Sequence, residues 1–153
     1  MGFLSFERYL ALTGAAAGSV VPEEQNTDYE SGRVEIDGQW WRIRTANVTP
    51  TKPGAFVAVW RRNTAGETEP FDATDECAGL LVFVTDGERI GWFTFDRALL
   101  TQLRISSTDG RTGKRGFRVY PAWSTGLNAQ AERTQRAQAP AFTDASDFSD
   151  FSD

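Results

Sequence analysis

The sequence predicts a single α/β domain, bordering on α+β, with a central mixed β-sheet flanked by helices. Three observations predict it. The chain has 153 residues with 40% apolar content, enough for one sizeable core and not comfortably two. Its middle is a succession of short apolar runs separated by turn residues, the signature of strands. Segments with helical spacing stand at both ends, and strands framed by helices suggest a covered mixed sheet rather than a sandwich.

At the N-terminal end, "FLSFERYLALT" places Phe3, Phe6 and Leu10 on one helical face. Glu7 and Arg8 interrupt its apolar stretch and no basic segment precedes it, which predicts an ordinary helix rather than a secretory signal. No run approaches the roughly 18 apolar residues of a membrane span. "VEIDGQWWRIRTAN" reads as a hairpin turning at Asp37-Gly38, a favoured tight-turn pair. "TPTKPG" is neither strand nor helix, because Pro50 and Pro53 fix φ and lack donors while Gly54 frees the chain to turn. "AFVAVWRR" has few polar positions before its end, which predicts a central strand covered on both faces. "NTAGETEPFDATDE" is an acidic loop, and "GLLVFVT" and "IGWFTF" are two strands joined across "DGER". Asp96 is placed to cap the helix "RALLTQL", "SSTDGRTGKRG" reads as a flexible basic loop, and "FRVYP" as another strand. "LNAQAERTQRAQA" is a polar helix ended by Pro140. The domain is expected over residues 1–142, and the Ser-Asp-Phe repeats of 143–153 form an acidic tail expected to be disordered.

The absence of histidine removes Ser-His-Asp and Cys-His mechanisms and His-ligated zinc. A single cysteine, Cys77, excludes an internal disulfide and a cysteine metal cluster, and predicts a reducing compartment, the cytoplasm. Its surroundings are not basic enough for an activated thiolate, so it reads as a small buried apolar residue. What survives is carboxylate chemistry with a hard cation, or binding alone.

The net charge of −5 hides a segregated distribution. Residues 33–62 carry six bases against two acids, and 97–118 six against one, while 63–96 carry eight acids against one base. Were the two basic segments to meet in space, they would form a positive face on an acidic protein. Arginine dominates, with fourteen against two lysines, and its planar fork suits phosphate. The proline-stiffened corner holds Lys52 near Arg44, Arg61 and Arg62, and "GRTGKRGFR" sets Lys114, Arg115 and Arg118 around glycines. Both have the composition of a phosphate track, although a turn and its soluble flanks require similar residue types. Trp123, joined by Tyr120 and Trp60, is the candidate for stacking on bases. The other tryptophans read as core. Gln130, Thr134, Arg133 and Arg136 share the last helix and offer polar contacts of the same kind.

Several separated blocks carry a family resemblance. "IRTANVTPTKPGAFVAVWRR", "PF" at 70–71, "GWFTFDR" at 91–97, "GKRGFRVYPAW" at 113–123 and "QAERTQ" at 130–135 occur in the order of the MepB-like family, which the chain resembles from about Tyr29 to Phe142. The resemblance implies a compact α/β domain with a restriction-endonuclease-like core, and nucleic-acid binding is the function that fold suggests. Asn47 and Phe95-Asp96-Arg97 depart from the family pattern, each replacing a lysine. A nuclease of such a fold needs carboxylates on Mg²⁺ beside a lysine. The strand best placed for them carries Val59 and Trp60 at the acid positions and Arg61 or Arg62 for the lysine. A displaced site would have to draw on Glu24, Glu30, Asp75 or Glu76, and Mg²⁺ enters only under that alternative. The expectation is therefore DNA or RNA binding without cleavage and without a cofactor. A module that docks a protein partner through the acidic loop, residues 67–76, and the tail is the alternative.

Overall fold

The computed structural model describes residues 2–146. In chain order its elements are helix α1 (Leu4–Thr13), strands β1 (Val21–Pro22), β2 (Gly32–Ile36), β3 (Gln39–Thr45), β4 (Asn47–Val48), β5 (Ala55–Ala58), β6 (Trp60–Arg62), β7 (Thr68–Pro70), β8 (Gly79–Asp86) and β9 (Arg89–Asp96), helix α2 (Arg97–Gln102), strand β10 (Gly116–Val119), helix α3 (Ala129–Gln138) and strand β11 (Phe142–Asp144). Two short 3₁₀ turns, Thr27–Tyr29 and Ala139–Ala141, complete it.

The central sheet is mixed and six-stranded, in the order β1-β2-β3-β8-β9-β11. Its β3–β8 pair is parallel and its other pairs are antiparallel. The β2–β3 hairpin turns where expected, with Asp37 at φ 49° and Gly38 at φ 87°, the left-handed pair of a tight type I′-like turn. β8 is buried from Gly79 through Val84, as a strand covered on both faces must be. One face carries α1, whose Phe6 packs with Val34, Ile36, Ile43, Leu81 and Phe83. Glu30 closes the start of that helix by accepting from the Leu4 N–H at 3.2 Å.

The second face departs from expectation. "AFVAVWRR" is not a strand of the central sheet. β5 is the middle strand of a separate three-stranded sheet, β10-β5-β4, which covers the central sheet through Val57, Val59, Phe117 and Val119 packed on Val82, Phe93 and Phe95. The chain leaves β5 at Val59, whose N–H donates to the Arg115 carbonyl at 2.9 Å, and β6 then pairs with β7 as its own hairpin. Apolarity predicted burial correctly and could not say against which sheet.

The loop of residues 106–116, expected to be flexible, is tied down. Lys114 N–H donates to Ile105, Ser107 N–H to Phe71, and Gly113 N–H to the Ser107 hydroxyl. α2 is capped as predicted, Asp96 accepting from Leu99 N–H at 2.8 Å. β11 pairs with β9 through Asp144 and Ala145 is fully buried, so the folded domain runs past Phe142. The rest of the Ser-Asp-Phe tail, residues 147–153, lies outside the described residues. Among the described residues no helix is long and apolar enough to cross a membrane.

Candidate functional site

An open cleft of about 1000 Å³ lies between the three-stranded sheet, the β6–β7 hairpin and the segment 24–29. It is organised by an ion-pair network beneath it. Alternation along β3 turns Arg42 and Arg44 to the same side, and Glu23 bridges them. Its two carboxylate oxygens accept from Arg42 Nη1 and Arg44 Nη1, each at 2.6 Å. Asp75 takes the other edge of Arg42 in a fork, at 2.8 and 3.1 Å. Arg42 also lies over the Phe71 ring, 4.1 Å from its centroid.

Arg44 is fully buried. Three more of its five N–H groups donate to the Ala58 carbonyl at 3.2 Å, the Ile43 carbonyl at 2.9 Å and Asn26 Oδ1 at 3.1 Å. Burial pulls its guanidinium below the ordinary arginine range, and Glu23 opposes that shift. Burial acts the same way on Arg42, where the hydrogen bond to Asp75 and the charges of Glu23 and Asp75 more than restore it. Desolvation pushes the Asp75 carboxyl up, and Arg42 overrides it, holding the group below the usual carboxylate range. Arg44 was expected to contact a ligand; fully buried, with four of its five N–H groups engaged inside the protein, it anchors the cleft wall instead.

Above this network stand the exposed cations. Arg62 and Arg115 are exposed, and among the described residues neither has a carboxylate partner. Arg62 donates to the Gly66 carbonyl and stacks on Trp60, 5.3 Å from its ring centroid. Arg115 reaches from the start of β10 to the Thr68 hydroxyl and carbonyl at 3.2 and 3.0 Å. Arg61 also lines the cleft and is paired with its cross-strand neighbour Glu69 at 2.9 Å. The two basic segments of the sequence therefore meet here, joined by the β5–β10 pairing that sets Gly116 opposite Ala58.

Half-buried rings supply the apolar surface: Tyr29 edge-on to Phe56 at 6.4 Å, Trp60, and Phe71. Gly116 leaves room for the Phe56 ring, since a Cβ there would come within 2.5 Å of it and displace it. Glu24 and Asp28 line the opposite wall.

The other sequence candidates fall elsewhere. Lys114, Arg118 and Tyr120 line a separate cavity of about 300 Å³ with Gln130 and Thr134. Arg118 bonds the proline corner, donating to the Pro53 carbonyl at 3.1 Å and the Thr49 hydroxyl at 2.9 Å. Lys52 is exposed on that corner and does not line the large cleft. Trp123 packs edge-on against Phe142 at 5.5 Å with Arg89 over its ring, away from the cleft. Lys114 and Arg115, adjacent in sequence, thus serve different cavities.

The acids weighed for metal chemistry are dispersed. Glu24 lines the cleft, Glu30 closes α1 and accepts from Thr45, Asp75 holds Arg42, and Glu76 pairs with Arg33. Among the described residues no three of His, Cys, Asp and Glu are grouped to hold a metal ion. The acidic loop folds back onto the basic strands through Glu69, Asp75 and Glu76.

Sequence reasoning missed Asn26, Tyr29, Arg42 and Phe71. Arg42 was signalled by its two-residue spacing from Arg44; nothing local marked the other three. No curated protein matches the chain. A crystal structure of MepB superimposes on it with a TM-score of 0.82 and 30% sequence identity, over 94% of this chain and 97% of that one. The MepB-like pattern matches residues 23–144, which contain the whole cleft and its anchoring network, and the chain belongs to the MepB-like family.

Proposed function

We propose that the chain binds nucleic acid in the large cleft, with Arg62 and Arg115, joined by Arg61, on the backbone phosphates. The observation that carries this reading is the convergence of two distant basic segments on one cleft walled by aromatic rings. Uncompensated guanidinium forks suit phosphate, and rings suit bases. A neighbouring neutral network lets Arg62 and Arg115 keep their charge for a ligand. The restriction-endonuclease-like core implied by the family resemblance fits this reading, since that topology recurs among phosphodiesterases. The proposal is binding without cleavage, in keeping with the dispersal of Glu24, Glu30, Asp75 and Glu76.

Fluorescence anisotropy of labelled oligonucleotides across a salt series tests it. Affinity should fall with salt, and Arg62→Ala with Arg115→Ala should weaken binding to every sequence and reduce the log–log salt slope by roughly 1–2. Absence of binding by the wild-type chain at low salt would refute the proposal.

A further inference from the structure

Asn26 combines two unfavourable features on the wall of the cleft. Its backbone is left-handed, at φ 59°, and its side-chain Nδ2 is a buried donor with no hydrogen-bond partner, the one such side-chain atom among the described residues. The residue is only 7% exposed. An orphaned buried donor loses its hydration without a replacement bond, and such costs gather at functional sites. Its orientation is dictated by chemistry. Arg44 has donors only, so the Asn26 oxygen must face Arg44 Nη2, at 3.1 Å, and the NH₂ is left for something else. Arg44 is itself immobilised by Glu23 and two carbonyls, so the amide is held as a fixed donor.

The rings say what kind of ligand would supply the acceptor. Tyr29 lies three residues on from Asn26, its N–H bonded to the Asn26 carbonyl at 2.9 Å, and Phe56, Trp60 and Phe71 line the same cleft. Bases in a duplex already stack on one another and cannot use such surfaces; an unpaired base can. Its ring carbonyls and nitrogens are acceptors of the kind Nδ2 lacks, and Glu24 and Asp28 on that wall offer acceptors to exocyclic amines.

We infer that the cleft takes single-stranded nucleic acid, with an unpaired base stacked on its ring wall and an acceptor of that base hydrogen-bonded to Asn26 Nδ2. The inference rests on the proposed nucleic-acid binding and specifies its substrate class. Nδ2 lies beneath the cleft surface, so its engagement requires side chains lining the cleft beside it to shift while the Asn26–Arg44 hydrogen bond holds.

The experiment titrates the full chain with labelled homopolymer strands of ~12 nucleotides, a length within the range of single-strand sites, and with a duplex of equal length at the same salt. Wild-type protein should bind single strands at least tenfold more tightly than duplex, and affinities for the homopolymers should differ. Trp60→Ala should weaken single-strand binding by a larger factor than duplex binding, since it removes a stacking surface as well as the ring under Arg62. Asn26→Ala and the near-isosteric Asn26→Asp, each checked by thermal melting for retained fold, should level the differences among homopolymers. Equal, salt-sensitive affinity for single strands and duplex would overturn the inference and leave the proposed function standing. Single-strand preference with unaltered base dependence in both folded Asn26 variants would overturn the role of Asn26. No binding to any probe would refute the proposed function and this inference with it.

Discussion

At the residue scale the cleft depends on Glu23, which neutralises two arginines with one carboxylate. Removing one partner of a buried pair leaves a desolvated charge, so Glu23→Gln should destabilise the fold by about 3–5 kcal/mol in urea denaturation. A loss below about 1 kcal/mol would mean that water, rather than Glu23, satisfies Arg44. Asp75 makes a pH-dependent contribution of definite sign. Arg42 holds its folded-state pKa below the unfolded value, so its stabilisation is complete above about pH 4 and is lost as pH falls through the lowered folded value. Asp75→Asn should therefore cost stability at neutral pH and narrow its gap to wild type in strong acid; a gap independent of pH would contradict that sign. Arg44 marks the limit of what a sequence reveals at this scale. Its charge drew attention as a ligand contact, yet strand register and the reach of Glu23 bury it, and both are set by segments distant in the chain.

At the element scale, local chemistry was readable wherever local chemistry decides. Asp37-Gly38 fixes a hairpin turn, and Asp96 caps a helix through its own side chain. The partner of β5 was not readable, because an apolar run specifies burial and not which strand lies beside it. The proline corner shows how both kinds of information combine. Its prolines and Gly54 announced a turn, but Arg118, 65 residues on from Pro53, holds it against β10. Gly54 has φ 79°, and a Cβ there would meet the Val119 carbonyl at 2.6 Å. Gly54→Ala should consequently lower stability by more than about 1 kcal/mol, read as a shifted denaturation midpoint with unchanged slope. An unshifted midpoint would mean that the corner relaxes freely.

At the scale of the whole molecule, the charge segregation of the sequence becomes geometry. The acidic segment 63–96 folds back on the first basic segment, compensating Arg33, Arg42 and Arg61. Arg62 and Arg115, from the two basic segments, are left at the cleft without acidic partners among the described residues. The meeting of those segments was legible as a condition, but which cations would face outward was not, because pairing with the acidic loop decides it. In the proposed function this location, and not total positive charge, governs nucleic-acid binding. The most direct test compares two variants that each lose two positive charges, Arg62→Ala with Arg115→Ala and Lys52→Ala with Lys114→Ala, by anisotropy on one labelled single strand at one salt concentration. The arginine pair should lose at least tenfold in affinity and the lysine pair should change little. Equal losses in the two would contradict this, because binding would then follow net charge and not the cleft.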